Sequence, residues 1–111
     1  MKKQELVFEQ LNPDACRTYF LGSPATREAI LVDPVLGSTD RYLRYLAEGG
    51  FTLRYVIDTH THADHLSGGR LLSDRTGAEY AMHKRAGAEH ASLRLTDGST
   101  VSAGGIVLEA I

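Results

Sequence analysis

Leu53-Arg54-Tyr55-Val56-Ile57 is an almost unbroken apolar run, and it carries the chain straight into His60-Thr61-His62-Ala63-Asp64-His65. A strand-length run of this kind reads as a buried strand of an α/β sheet. Three of the five histidines in the chain then fall within six residues. In extended or loop backbone, residues i and i+2 point to the same side, so His60 and His62 can converge on one ion. Asp64 and His65 come where the loop turns into a helix, and Asp64 can face the same cavity from its other side. Imidazole and carboxylate donors suit Zn(II), Fe(II) or Mn(II). The carboxyl end of a buried strand is also where open α/β sheets place their ligands. The competing reading is a polar surface loop in which Asp64 or Ser67 caps the following helix. A lone histidine is usually structural, but this spacing is not that of a lone histidine.

The rest of the chain supplies a frame for that loop. Residues 6–11, 18–21 and 28–32 read as strands, separated by the turn signals Asn12-Pro13-Asp14 and Gly22-Ser23-Pro24. The third should stop at Asp33-Pro34, because proline cannot donate to a sheet ladder. Ser38 or Thr39 can cap a helix that runs to about residue 48, with Tyr42, Tyr45 and Leu46 on one face and Gly49-Gly50 at its end. A second helix is expected over 66–76, closed by Gly77, and a short strand over 78–82. Asp97-Gly98 and Gly104-Gly105 are hairpin turn signals, and Ile106 opens a final strand.

Composition excludes several function classes. With 111 residues the chain holds one small domain at most, and its net charge of −2 offers no basic surplus for nucleic acid. Nine Arg against three Lys would suit an anionic ligand, although most of these arginines read as solvated surface charge. The apolar stretches are too short for a transmembrane helix, and Met1-Lys2-Lys3 lacks the apolar segment of a signal peptide. A single cysteine, Cys16, precludes an intrachain disulfide and fits a cytoplasmic protein. No activating partner is apparent near Cys16, so it reads as an ordinary thiol. His83 and His90 read as a strand-end and a surface residue. Asp33, at the end of an apolar strand, is either a turn aspartate or a group that orients the metal loop, and Asp58 is a candidate for the same orienting task.

The run His60-Thr61-His62-Ala63-Asp64-His65-Leu66-Ser67-Gly68-Gly69 resembles the signature loop of the metallo-β-lactamase superfamily. Within it, the chain looks most like the persulfide (sulfur) dioxygenases, with the glyoxalase II thioesterases as nearest relatives. The narrower likeness rests on Thr18-Tyr19-Phe20-Leu21-Gly22, on Arg27-Glu28-Ala29-Ile30-Leu31-Val32-Asp33-Pro34-Val35, on Leu53 to His60, and on Ala63-Asp64-His65. The resemblance implies an α/β (α+β) fold, the αββα sandwich, of which residues 1–111 would be the N-terminal half. The chain stops at Ile111 inside what reads as a strand, so it is expected to be cut short, of low stability alone and at best a weak metal binder.

The resemblance further implies oxidation of a small thiol-derived substrate, glutathione persulfide, to sulfite, with Fe(II) as the metal and Zn(II) as the alternative. In the dioxygenases a single iron takes two histidines and one aspartate. His60 would be the one direct ligand in this chain, with His62, Asp64 and His65 supporting it. In glyoxalase II-like members His60 and His62 would hold one metal and Asp64 and His65 a second, with Asp64 nearest to a catalytic role. Both subfamilies take a further His and Asp from later sequence, and a homodimer is one way in which missing ligands could be supplied. The alternatives are a thioester hydrolase using metal-bound hydroxide and a non-catalytic half-domain that docks through an open sheet edge.

Overall fold

The structure is a computed structural model that describes residues 6–11, 17–59, 67–83 and 91–110. Its main sheet runs in the order β1 (Val7–Gln10), β2 (Tyr19–Gly22), β3 (Glu28–Val32), β4 (Thr52–Asp58), β5 (Glu79–His83) and β6 (Leu93–Leu95). The first three strands pair antiparallel, and β3 to β6 pair parallel. Parallel neighbours need a crossover. The helix α1 (Thr39–Gly49) supplies it between β3 and β4, and α2 (Gly69–Thr76) between β4 and β5.

Each face of this sheet packs against something different. Ala29, Leu31, Leu53 and Val56 meet Tyr42 and Leu46 of α1 and Leu72 of α2 in one buried cluster. Ile30, Ile57, Ala81 and Leu95 meet Val101 and Ala103 in another. The latter pair comes from β7 (Thr100–Ala103), which forms an antiparallel hairpin with β8 (Ile106–Glu109) lying over the opposite face. The layers are therefore helices, sheet, hairpin. This explains why residues 29–31 and 56–57 are apolar without alternation: both faces are covered. A bulge keeps the faces in phase. The register slips between Ala29 and Ile30, leaving Arg54 as the extra residue of β4, so that Leu53 and Val56 both turn to the helices. Arg54 points out and pairs with Glu28 at 2.7 Å.

The hairpin covers only part of its face. Beside it lies a groove of about 380 Å³ lined by Phe8, Tyr19, Leu21, Val32, Leu95 and Leu108. Among the described residues no helix is long and apolar enough to cross a membrane.

Most expected boundaries hold, including the stop at Asp33-Pro34 and the left-handed glycines Gly50 and Gly77 that end the helices. Three differ. Ser38 precedes α1 but makes no side-chain cap bond, because Leu36–Ser38 is already a 3-10 turn feeding the helix, and Thr39 Oγ1 instead donates back to Leu36 O at 2.7 Å. The helix α2 begins at Gly69, not near residue 66. Asp97-Gly98 is a turn but not a hairpin of paired strands: it carries the chain from β6 in one sheet to β7 in the other. The pattern of residues 97–98 marks a reversal without saying which strand will be the partner.

Candidate metal centre

His60, His62, Asp64 and His65 lie in the segment 60–66, outside the described residues, as do Cys16 and His90. His83 ends β5, and its side chain is outside the description as well. Among the described residues no three His, Cys, Asp or Glu gather to hold a metal. The structure does define both ends of the histidine segment, and there Asp33 and Asp58 occupy specific places.

The entry end is Thr59. Asp33 Oδ1 accepts the Thr59 N–H at 2.8 Å, and Asp33 Oδ2 accepts the Thr59 hydroxyl at 2.6 Å. Both residues follow adjacent parallel strands, and Asp33 N–H donates to Ile57 O at 2.7 Å. To aim its carboxylate so, Asp33 takes a left-handed backbone, φ 55°. That conformation costs an L residue about 1–2 kcal/mol and is least unfavourable for Asn and Asp. The turn is fixed from below. Thr18, fully buried, donates its hydroxyl to Asp33 O at 2.8 Å. Its oxygen then accepts from Tyr42 OH at 3.1 Å, and Tyr42 OH accepts the Val35 N–H at 3.0 Å. A chain of bonds thus runs from the core through α1 to the carboxylate that holds Thr59.

The exit end is Ser67. It forms a bridge with Val35, and Gly68 N–H donates to Pro34 O at 2.9 Å, so the same turn holds both ends. Asp58 is buried, 2% exposed, on the helix side of β4. Its Oδ2 accepts the Ser67 hydroxyl at 2.6 Å and the Tyr80 hydroxyl at 2.5 Å. Ser67 Oγ accepts the Gly69 N–H at 3.0 Å, satisfying one of the open donors that begin α2. Tyr80 has its phenol pushed up to about 12, first by burial and then by the hydrogen bond and charge of Asp58. It is therefore a neutral donor at ordinary pH.

Sequence reasoning missed Thr18, Tyr42, Thr59 and Tyr80. Tyr80 carried one usable signal: a tyrosine in an apolar strand needs a partner for its hydroxyl when buried, and Asp58 is a polar residue at the end of the neighbouring strand. Thr18 and Tyr42 carried none that named a partner, since they bond to each other across 24 positions and to the backbone at Asp33 and Val35.

The sequence profile described as Metallo-beta-lactamase superfamily matches residues 11–106. The human protein named persulfide dioxygenase ETHE1, mitochondrial, is 38% identical over 106 residues, which are 94% of this chain and 41% of that one. The crystal structure of ETHE1 from Myxococcus xanthus superposes with a TM-score of 0.85 at 39% identity, over 93% of this chain and 46% of that one. A metallo-beta-lactamase from Staphylococcus aureus superposes with a TM-score of 0.81 at 24% identity, covering 94% of this chain and 32% of that one, and speaks for the fold alone. The chain spans less than half the length of each of these proteins. The profile, the relatives and the layered fold agree, and the chain belongs to the metallo-β-lactamase superfamily.

Proposed function

We propose that the full-length protein is a metal-dependent oxygenase that oxidises a glutathione-type persulfide to sulfite, and that residues 60–65 carry its metal-binding donors. The observation that carries the substrate class is the 38% identity to a persulfide dioxygenase along nearly the whole chain. The observation that favours a metal at this place is the pair of hydrogen bonds that Thr59, the residue before His60, donates to Asp33. Metal-ligating side chains need surroundings that fix their orientation, and a left-handed aspartate that holds the residue before His60 fixes where the segment begins.

The donors in the segment, three imidazoles and one carboxylate, fit Fe(II) and also Zn(II). We assign Fe(II), with His60 as a direct ligand and His62, Asp64 and His65 completing or supporting the site. Bound iron with open positions supplies the capacity to take up sulfur and O₂ together. The protein's own part is positional. Asp33 sets the start of the segment, while Asp58 and Ser67 set its return.

The test is oxygen uptake by the iron-loaded full-length protein on glutathione persulfide, with sulfite measured in parallel. Oxygen consumption matched by sulfite supports the assignment. Thioester hydrolysis by the zinc-loaded protein, with no oxygen uptake in the iron form, would replace it with the hydrolase reading.

A further inference from the structure

We propose that Tyr80 is a positioning residue for the 60–66 segment: with Ser67 it closes a clasp on Asp58 that fixes where the segment re-enters the fold. The proposal extends the metal-site reading above to residues outside the histidine motif. Asp58 and Ser67 are nine positions apart, and their 2.6 Å bond ties the end of β4 to the start of α2 across all of the candidate ligands. Tyr80 reaches the same oxygen from β5, in parallel register beside Val56 of β4.

Three observations distinguish this clasp from ordinary core packing. The first is energetic: burying a carboxylate is costly, and an apolar residue of similar size would serve stability at least as well. Asp58 nonetheless sits 2% exposed and has two hydroxyl donors on one oxygen. The second is steric. A Cβ on Gly69 would lie 2.5 Å from Tyr80 Cε1 and 2.8 Å from Cζ, so the phenol reaches Asp58 only because the first residue of α2 is glycine. The third is placement. Tyr80 comes from β5 and Ser67 from the turn into α2, and both hydroxyls act on the one strand end that leads into His60.

The clasp acts through backbone bonds whose loss can be read directly. Gly68 N–H is held by Pro34 O, and Gly69 N–H by Ser67 Oγ. We would compare Tyr80→Phe, Ser67→Ala and Ser67→Thr in the full-length protein. The readouts are amide hydrogen exchange without metal and the rate at which iron is lost to a chelator. Tyr80→Phe keeps the ring and removes only the hydroxyl. It should speed exchange at Gly68 and Gly69 about tenfold, the change expected when a hydrogen bond to a charged group is lost, and leave Leu31 and Val56 unchanged. Iron loss should quicken by about tenfold as well. Ser67→Ala should do the same, and Ser67→Thr, which keeps a hydroxyl, should restore both.

Uniformly faster exchange throughout the sheet would show Tyr80 to be a core residue only and overturn the proposal. So would wild-type exchange at Gly68 and Gly69 in Tyr80→Phe. A wild-type protein that takes up no metal, yet shows the local exchange effect, would leave the clasp standing and remove the metal-site reading instead.

Discussion

Asp33 and Thr59 lie 26 positions apart in the chain and are joined twice, both carboxylate oxygens of Asp33 accepting from Thr59, one from its N–H and one from its hydroxyl. The pairing is possible because β3 and β4 run parallel and end side by side, so the residues just beyond each strand meet. It gives the turn aspartate a use that its place before Pro34 left open. Asp33→Asn keeps the left-handed turn, which asparagine tolerates, but replaces an acceptor with a donor. We expect it to fold with little loss of melting temperature and to bind metal roughly tenfold more weakly or worse, the range for removing a group that orients a ligand. Metal titration followed by calorimetry checks it, and an unaltered affinity would mean that Asp33 is only a turn residue.

Gly69→Ala should be among the more harmful small substitutions in α2. Alanine is normally the better helix former, yet here its methyl would meet the Tyr80 ring. Overpacking of this kind costs about 1–3 kcal/mol. Thermal melting of the variant should show that loss, and Gly69→Ala in a Tyr80→Ala background should show much less of it. A stabilised single variant would contradict the packing described around Tyr80.

Tyr80 should titrate above the ordinary tyrosine range. Its folded pKa of about 12 lies above a tyrosine's ordinary 10.0, so the neutral phenol is the form that folding favours. The associated stability is fully present below about pH 10 and is lost as pH rises through about 12. Tyr45 is also raised, by burial and then by Glu9, so assignment needs a variant. Phenolate absorbance of Tyr80→Phe should lack a transition near pH 12, and the variant's stability should fall less between pH 10 and pH 12. A titration curve identical to that of the wild type would place the high-pKa phenol elsewhere.

Much of this architecture was legible in the sequence, and for identifiable reasons. The apolar runs 29–32 and 53–57 announce strands covered on both faces, and Pro34, Gly50 and Gly77 mark ends by backbone chemistry alone. The signature loop and the stretches around Arg27 to Val35 gave the superfamily and the fold. What stayed hidden was pairing at a distance. Nothing near Asp97-Gly98 states that β6 and β7 belong to different sheets. Nothing near Tyr80 or Thr18 names the carboxylate or carbonyl each will find. The Thr18 bond waits on the β2–β3 register, and the Tyr80 bond on the crossover that sets β5 beside β4. For the same reason the roles of Asp33 and Asp58 could be named from sequence only as candidates, while the hydrogen bonds each makes are now explicit.

The proposal that residues 60–65 bind metal, anchored by the turn at Asp33, is tested most directly by elemental analysis of the purified full-length protein beside His60→Ala, after reconstitution with Fe(II) and removal of free metal. Stoichiometric iron is expected in the wild type and only a small fraction of it in His60→Ala, with circular dichroism showing both folded. Equal metal content in the two proteins would contradict it.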